Sequence, residues 1–290
     1  MRRTWLLFTI FLIVVIAIGW FFSQVYGNRG ILYFSVIFSV LMNVIAYWFS
    51  DKLVLKMARA TPIDKKDMPE IYDIVEKLAT NANLAMPKIY LVPENQPNAF
   101  ATGRNSKHAA VAVTKGLLEK LNRSELEGVL AHELSHIGNH DMLISTAAVV
   151  LAGFISILSN IFLRSLMFGG FKRRDDRNNG QTQGVLMIIG VILAILAPVA
   201  ALLIRLAISR KREFLADASG ALLTNRPENL ATALEKISSD RSPMKVANDA
   251  TAHLWLDNPF KEENKIFWLH KLFLTHPPVE ERIKILREMK

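Results

Sequence analysis

The distribution of apolar residues along this chain predicts four membrane helices. Four stretches of about 18 to 22 residues contain no charged side chain: Trp5–Phe22, Ile31–Phe49, Met142–Leu163 and Gly184–Ile204. An α-helix needs about 20 apolar residues to cross the hydrocarbon core of a bilayer. We therefore predict a transmembrane hairpin at residues 1–50 and a second membrane hairpin at 142–209. For the second hairpin, a shallow or re-entrant arrangement is the alternative to full crossing.

Shorter patterns outside these runs predict a domain of mixed α and β structure. Apolar residues at helical spacing predict helices at 69–83, 210–224 and 227–238. Branched and aromatic residues predict the strands of a small antiparallel sheet at 88–92, 97–103 and 109–114. Ser124 and Glu127 fit a capping box, which predicts that a further helix begins at this point.

Charge and composition narrow the class of protein. The net charge is +9, but the Lys and Arg residues cluster beside the apolar runs, without the basic and aromatic stripe of a nucleic-acid interface. Basic residues precede the first run and follow the second, so the positive-inside rule places both ends of the first hairpin in the cytoplasm. The chain has no Cys, which excludes disulfides and thiolate metal ligands. We therefore predict a lipid bilayer, and no nucleic acid, as a partner.

The sequence His132-Glu133-Leu134-Ser135-His136 has the spacing of a zinc peptidase site. Residues four apart lie on one face of an α-helix, so the two imidazoles converge on one point. Two His ligands with a Glu between them are typical of zinc peptidases, in which this Glu is the general base. We therefore predict that His132 and His136 bind one Zn²⁺ ion per chain and that Glu133 is catalytic.

A catalytic zinc ion usually takes a third protein ligand. One class of zinc peptidases has a third His six residues after the second, but this chain has Met142 there. Glu213 and Asp217 are four residues apart on a predicted helix. The His motif lies just before the second membrane hairpin and this helix lies just after it, so both are within roughly 15 Å of the same membrane face. We predict that Glu213 binds the metal and that Asp217 accepts a hydrogen bond from a ligand His. Asp141 is the competing ligand.

These elements predict an α-helical membrane protein with an α+β, zincin-like catalytic domain of the gluzincin type. Four apolar helices accompany a small β-sheet. The second hairpin divides the catalytic domain into two parts. Residues 51–141 hold the edge strand and the motif helix, and residues 210–290 hold the third ligand and the C-terminal helices.

Several motifs, in their order along the chain, resemble those of the HtpX group. They are Asn98-Ala99-Phe100, His132-Glu133-x-x-His136, Glu213-Phe-Leu-Ala-Asp217 and the late His276-Pro-Pro. This group comprises bacterial membrane zinc endopeptidases related to the CAAX prenyl proteases, and the resemblance covers nearly the whole chain. It implies that His132, His136 and Glu213 hold zinc and that Glu133, between the two His residues, is catalytic. It also implies a role in quality control of cytoplasmic-membrane proteins and in stress response.

The resemblance also implies that the C-terminal segment returns to the active site. His276 and Arg282 would then stabilise the oxyanion as hydrogen-bond donors. Spacing alone does not require this, since Thr275–Pro278 also fits a helix-initiating turn and Arg282 a solvated charge.

We further predict that the substrate backbone adds as a strand beside Asn98, Ala99 and Phe100. Pairing with an edge strand binds peptides with little side-chain preference, which suits a protease that recognises misfolded chains. As an alternative, Asn98 is a turn residue and Phe100 a core aromatic.

The predicted protein is a zinc metalloendopeptidase of the bacterial cytoplasmic (inner) membrane. It is multi-pass, its catalytic domain faces the cytoplasm, and its substrates are misfolded or damaged membrane proteins. The alternatives are a protease that cuts within the bilayer, an enzyme that processes lipidated proteins, and a non-catalytic membrane chaperone or scaffold. Polar residues on both sides of the His motif favour the membrane surface over the bilayer interior.

Overall fold

The computed structural model describes residues 2–167, 210–247, 251–260 and 277–289. Its helices are α1 (Arg2–Tyr26), α2 (Arg29–Met57), α3 (Pro69–Asn81), α4 (Lys115–Lys120), α5 (Arg123–Gly138), α6 (Met142–Met167), α7 (Arg210–Thr224), α8 (Pro227–Ser239) and α9 (Val279–Glu288). Its strands are β1 (Thr61–Pro62), β2 (Lys88–Val92), β3 (Ala99–Gly103) and β4 (Ala109–Thr114). Short 3-10 turns lie at Ser106–His108 and Ala252–Leu254.

The N-terminal hairpin forms as the apolar runs predict. Thr4–Gln24 and Arg29–Met57 are both long and apolar enough to span a membrane. Gly27 adopts a positive φ of 60° at the turn between them, a conformation that glycine reaches without a Cβ clash. Asn28 then caps α2, because its side chain accepts a hydrogen bond of 2.8 Å from the backbone N–H of Gly30.

The third apolar run forms α6, which meets α5 at a sharp bend. The two helices are bent by 87° at a short break, so that together they fit one broken span or a re-entrant segment. In the described part of the chain there are therefore two candidate spans, or three if this bent pair is one span. The fourth predicted helix, Gly184–Ile204, lies outside the described residues, so the four-helix prediction is not confirmed.

The sheet is mixed, and the predicted all-antiparallel arrangement is wrong. The strand order is β1-β2-β4-β3. β4 pairs antiparallel with β3 through a short turn, and it pairs parallel with β2, with Ile89 opposite Val111. Every residue of β4 is buried, which suits the central position. β3 is consequently an edge strand, and its outer edge faces the motif helix and α6.

Three apolar clusters form the core, and two of them contain residues of the N-terminal helices α1 and α2. One cluster contains Leu7 of α1, Met42 of α2 and Ile144 of α6. A second contains Val54, near the end of α2, together with Phe100 of β3 and residues of β4. The third is the core between α3, α5, α8 and the sheet. Each fully buried large side chain contributes about 1.5–3 kcal/mol, so this packing holds the sheet and α6 against α2.

The motif helix begins at a capping box, two residues earlier than predicted. Asn122 Oδ1 accepts a hydrogen bond of 3.0 Å from the backbone N–H of Glu125. The Glu125 carboxylate accepts one of 3.0 Å from the backbone N–H of Asn122. The prediction for Ser124 and Glu127 is therefore wrong. Glu125 is buried and also pairs with Lys236 of α8 at 2.8 Å, a tertiary contact that favours this box.

Candidate metal centre and active site

The two His residues of the motif and Glu213 converge between α5 and α7. The Nε2 atoms of His132 and His136 are 3.1 Å apart. Glu213 Oε1 lies 3.7 Å from His136 Nε2, and its Oε2 lies 4.0 Å from His132 Nε2. Gly220 lets the two helices approach this closely, because a Cβ there would lie 2.9 Å from the His132 backbone nitrogen.

The donor set fits a catalytic zinc ion. One ligand atom from each of His132, His136 and Glu213 lies within 4.8 Å of the other two. Two imidazole nitrogens and one carboxylate oxygen are a common ligand set of catalytic zinc in peptidases, with a further position left for water. Both Nδ1 atoms face carboxylates, as described below. A proton on Nδ1 leaves each Nε2 with a lone pair directed to the centre.

Asp217 lies between His132 and Arg282, on the Nδ1 side of the His132 imidazole. Asp217 Oδ1 lies 2.9 Å from His132 Nδ1. Arg282 donates to both carboxylate oxygens, at 2.8 Å through Nε and 2.7 Å through Nη2. Burial alone would raise the pKa of Asp217, but the Arg282 guanidinium and His132 outweigh it and hold this pKa well below its usual range. Asp217 is therefore a permanent anion that orients the imidazole.

Asp141 holds a matching position beside His136. Its Oδ2 lies 3.5 Å from His136 Nδ1, and its Oδ1 lies 3.4 Å from Arg212 Nη1. The α5–α6 bend creates this contact: His140 has a φ of 58°, and the Asp141 backbone N–H donates to the His136 carbonyl at 3.1 Å. Asp141 thus faces the nitrogen opposite to the one that points at Glu213. In this position Asp141 is poorly placed to serve as the third metal ligand, the role in which it competed with Glu213.

Glu133 is buried in the same site. Its side chain lines a small pocket together with the three candidate ligands. Burial raises the pKa of Glu133, and the two imidazoles partly offset this effect. A carboxylate with a raised pKa beside a metal site can take up a proton from water and release it again.

The same pocket contains a histidine that sequence reasoning missed. His253 lies in the 251–260 segment, lines the pocket, and has its Nε2 3.3 Å from the carbonyl oxygen of Ser145 on α6. The sequence marks 239–263 as polar and irregular. The Leu254-Trp255-Leu256 run inside this stretch was the available signal that it enters the core.

The three predicted substrate-binding residues are buried, because another segment of the same chain covers them. We call Leu254–Asp257 the closing segment. Asn98 makes two hydrogen bonds with Asp257, the last residue of this segment. Its Nδ2 donates to the Asp257 carbonyl at 2.9 Å, and its Oδ1 accepts from the Asp257 N–H at 3.2 Å. The Leu256 N–H donates to the Ala99 carbonyl at 3.0 Å. Phe100 packs edge-on against Trp255, with ring centroids 4.9 Å apart.

This end of β3 is therefore occupied, and Phe100 is a core aromatic, as the alternative interpretation held. The strand residue that lines the pocket is Ala101.

The structure describes one of the two predicted oxyanion donors. His276 lies outside the described residues. Arg282 is only 2% exposed and is absent from the pocket lining. Besides Asp217, its guanidinium contacts the Leu256 carbonyl, to which Nη1 donates at 3.1 Å. Arg282 is therefore buried, and the alternative prediction of a solvated charge is wrong. Its link to His132 is indirect, because Asp217 contacts both side chains.

Comparison with known proteins agrees with this geometry. The model of peptidase family M48 matches residues 65–290. A protein named protease HtpX homolog from Caldanaerobacter subterraneus subsp. tengcongensis is 47% identical, covering 99% of this chain and 95% of the relative. One of the same name from Thermoanaerobacter pseudethanolicus is 48% identical, with the same coverage.

A solved structure shares the fold. The crystal structure of S. mikatae Ste24p aligns with a TM-score of 0.50 at 18% identity and covers 93% of this chain. The chain spans about three fifths of that structure, 62% of its length. At this identity, the likeness concerns the fold alone.

Proposed function

This chain belongs to peptidase family M48 and is a metalloprotease, and we propose that it is a zinc-dependent membrane endopeptidase. The resemblance to the HtpX group is confirmed. One observation carries the proposal: His132, His136 and Glu213 bring three ligand atoms within 4.8 Å of one another beside the buried Glu133. We assign the first three residues as metal ligands and Glu133 as the general base.

The assigned residues divide the chemistry between them. His132, His136 and Glu213 would hold the zinc ion, which would supply Lewis-acid activation of the peptide carbonyl and of water. Glu133 takes a proton from the attacking water and delivers it to the leaving amine. Its buried position and raised pKa suit both transfers. Asp217 and Asp141 keep the Nδ1 protons of the two imidazoles in place, so the ligand nitrogens stay directed at the metal.

We propose that the substrates are misfolded or damaged membrane proteins. The part of the chain that the structure describes contains two candidate membrane spans, or three if the bent α5–α6 pair is one span, and the site adjoins them. Ser145 lines the pocket, and its neighbour Ile144 packs with Leu7 and Met42 of the membrane hairpin. This proximity of the site to the candidate spans supports substrates that are held in the membrane.

The proposed location is the bacterial cytoplasmic membrane, with the catalytic domain in the cytoplasm and a role in stress response. Basic residues flanking the N-terminal hairpin support this orientation. We retain the division into an N-terminal hairpin at 1–50, a second membrane hairpin at 142–209, and a catalytic domain formed by 51–141 and 210–290.

The test combines zinc content with cleavage of an unfolded membrane substrate by the full-length protein in lipid nanodiscs. Glu133→Gln should keep full zinc and lose cleavage, since it removes only the base. Glu213→Ala should lose zinc as well. Glu127→Gln is the matched control on the same helix, because Glu127 pairs with Lys77 at the surface and should change neither quantity. Cleavage by Glu133→Gln, or full zinc in Glu213→Ala, would contradict the assignments.

A further inference from the structure

A groove of about 540 Å³ lies between α1 and α2 in the membrane hairpin. Its lining is mainly apolar and includes Phe8 and Leu12 of α1 and Val40 and Val44 of α2. Trp48 also lines it, and Val40 lies two helical turns before Trp48, so the groove extends about 12 Å along α2 at about 1.5 Å per residue. One leaflet is about half of a hydrocarbon core of about 30 Å. The groove therefore has the length of an acyl chain within one leaflet.

One end of this groove carries the aromatic residues of a membrane–water boundary. Trp5, Tyr47 and Trp48 all belong to the lining, and the two Trp side chains are 63% and 51% exposed. Trp5 is the first residue of the first charge-free run, and Trp48 is the second-last residue of the second run. Trp and Tyr are enriched where the hydrocarbon core meets the head groups. The groove thus opens at the level of the head groups, on the side where α2 continues into the catalytic domain.

The catalytic domain places a cation at this end of the groove. Arg104, in the turn between β3 and β4, has its guanidinium 4.5 Å from the centre of the Trp48 ring. Its Nη2 also lies 3.0 Å from His108 Nε2. Lys52, one helical turn after Trp48, has its Nζ 5.8 Å from the centre of the Phe49 ring. Among the residues that the structure describes, neither cation makes an ion pair with a carboxylate.

The surroundings of Arg104 have an excess of positive charge. The end of α2, strand β2 and the β3–β4 hairpin meet there in one apolar cluster. These stretches, 48–57, 88–92 and 99–114, carry two, one and two Lys or Arg side chains, and together a single acid, Asp51. The exposed Arg123 at the start of α5, by comparison, has Glu70 at 3.5 Å. Anionic head groups attract basic residues at the membrane surface and would balance this excess.

We propose that the groove and Arg104 form a binding site for one anionic phospholipid. One acyl chain lies between α1 and α2, and the phosphate lies against the Arg104 guanidinium with Lys52 beside it. The groove alone gives little preference in a bilayer, because lipid tails are as apolar as its lining. The head group therefore decides which lipid is retained, and the planar guanidinium of Arg matches the geometry of a phosphate.

This site would connect two parts of the protein. Arg104 belongs to the catalytic domain, whereas the groove belongs to the membrane hairpin. A lipid bound to both would hold the β3–β4 turn at the membrane surface. Neither the groove nor Arg104 contributes to the lining of the metal pocket, so the site does not depend on the proposed proteolysis.

The first test measures which lipid the full-length protein retains. The protein in detergent is mixed with phosphatidylglycerol or with phosphatidylcholine of the same acyl chains, and native mass spectrometry counts the bound lipids. One basic residue near an anionic head group contributes about fivefold in affinity. With two such residues, one phosphatidylglycerol should bind at least about tenfold more tightly than phosphatidylcholine.

A matched pair of charge variants locates the head group. Arg104→Gln should lower the affinity for phosphatidylglycerol about fivefold and leave that for phosphatidylcholine unchanged. Arg123→Gln removes the same charge from an exposed pair with Glu70 and should change neither affinity. Equal retention of the two lipids by the wild-type protein, or an unchanged affinity for phosphatidylglycerol in Arg104→Gln, would overturn the proposal.

The second test blocks the groove. Val44→Trp places a large side chain within it and should abolish retention of phosphatidylglycerol. Leu41→Trp adds the same side chain outside the groove lining and should not. Val44 and Leu41 are 45% and 53% exposed, so neither change should alter thermal melting. Full retention of lipid by Val44→Trp would overturn the site. Dimers in the same spectra that disappear in Val44→Trp, without a retained lipid in the wild type, would assign the groove to a second copy of the chain and also overturn it.

Discussion

Asp217 joins a metal ligand to a buried cation, so its replacement by Asn should affect both stability and metal binding. Its carboxylate lies 2.9 Å from His132 Nδ1 and within 2.8 Å of two Arg282 nitrogens. Both charged side chains are nearly inaccessible, at 1% and 2% exposure. Asp217→Asn leaves the guanidinium buried without a counter-charge, which costs about 3–5 kcal/mol. Loss of the carboxylate beside a ligand His lowers metal affinity about 10- to 100-fold.

A double variant separates the two effects. Asp217→Leu with Arg282→Met removes both charges and fills the space with apolar side chains, a change that is often neutral for buried pairs. The free energy of unfolding of the metal-free protein should recover most of the loss, whereas zinc affinity should stay low because His132 still lacks its carboxylate. Chemical denaturation in detergent gives the first quantity and chelator competition gives the second.

The control is an exposed ion pair. Glu228→Gln breaks the surface contact with Arg287, whose side chains are 59% and 43% exposed, and should cost less than about 1 kcal/mol. Unchanged zinc affinity in Asp217→Asn, or full recovery of zinc affinity in the double variant, would refute the idea that Asp217 acts on the metal through His132.

The pH dependence of this effect has a definite sign. Arg282 holds the pKa of Asp217 far below its usual range, despite the opposing effect of burial. A carboxylate with a lowered folded-state pKa contributes its full stabilisation above the unfolded pKa of about 3.9 and loses it as pH falls through the folded value. The stability difference between wild type and Asp217→Asn should therefore be constant from about pH 5 to 8 and shrink only below about pH 4.

Three further predictions concern the α5–α6 bend. Asp141→Asn should weaken zinc binding by up to about tenfold, less than Asp217→Asn, because its contact with the His136 Nδ1 is 3.5 Å long; a larger loss in chelator competition would make Asp141 a ligand. His140 has a φ of 58°, so His140→Val should lower the free energy of unfolding by about 1–2 kcal/mol and His140→Gly should not; equal effects would contradict this. In the metal-free protein, burial lowers the pKa of His136, but Asp141 and Glu213 outweigh it and raise the pKa to about 9. Zinc binding at pH 7 should therefore release about one proton and weaken as pH falls, which calorimetry in buffers of different ionisation heat measures; binding without proton release would contradict it.

Features encoded over short stretches were predictable from the sequence. The four-residue spacing of His132 and His136 defines a shared helix face whatever the rest of the chain does. The first two apolar runs form helices for a similarly local reason, since their composition alone suits a bilayer. Glu213 could be selected among the acidic residues for two reasons. It lies just after the second predicted membrane hairpin, as the His motif lies just before it, and the order of motifs resembles that of a known family.

Contacts between distant residues were decided only by the tertiary structure. The sheet became mixed because the buried β4 takes the central position between β2 and β3. The capping box moved to Asn122 because Glu125 also binds Lys236, more than 100 residues away. The edge at Asn98 is closed by Asp257, and no local pattern in either stretch specifies the other. Periodicity reports which face of an element is apolar; which distant segment covers that face depends on the packing of the whole chain.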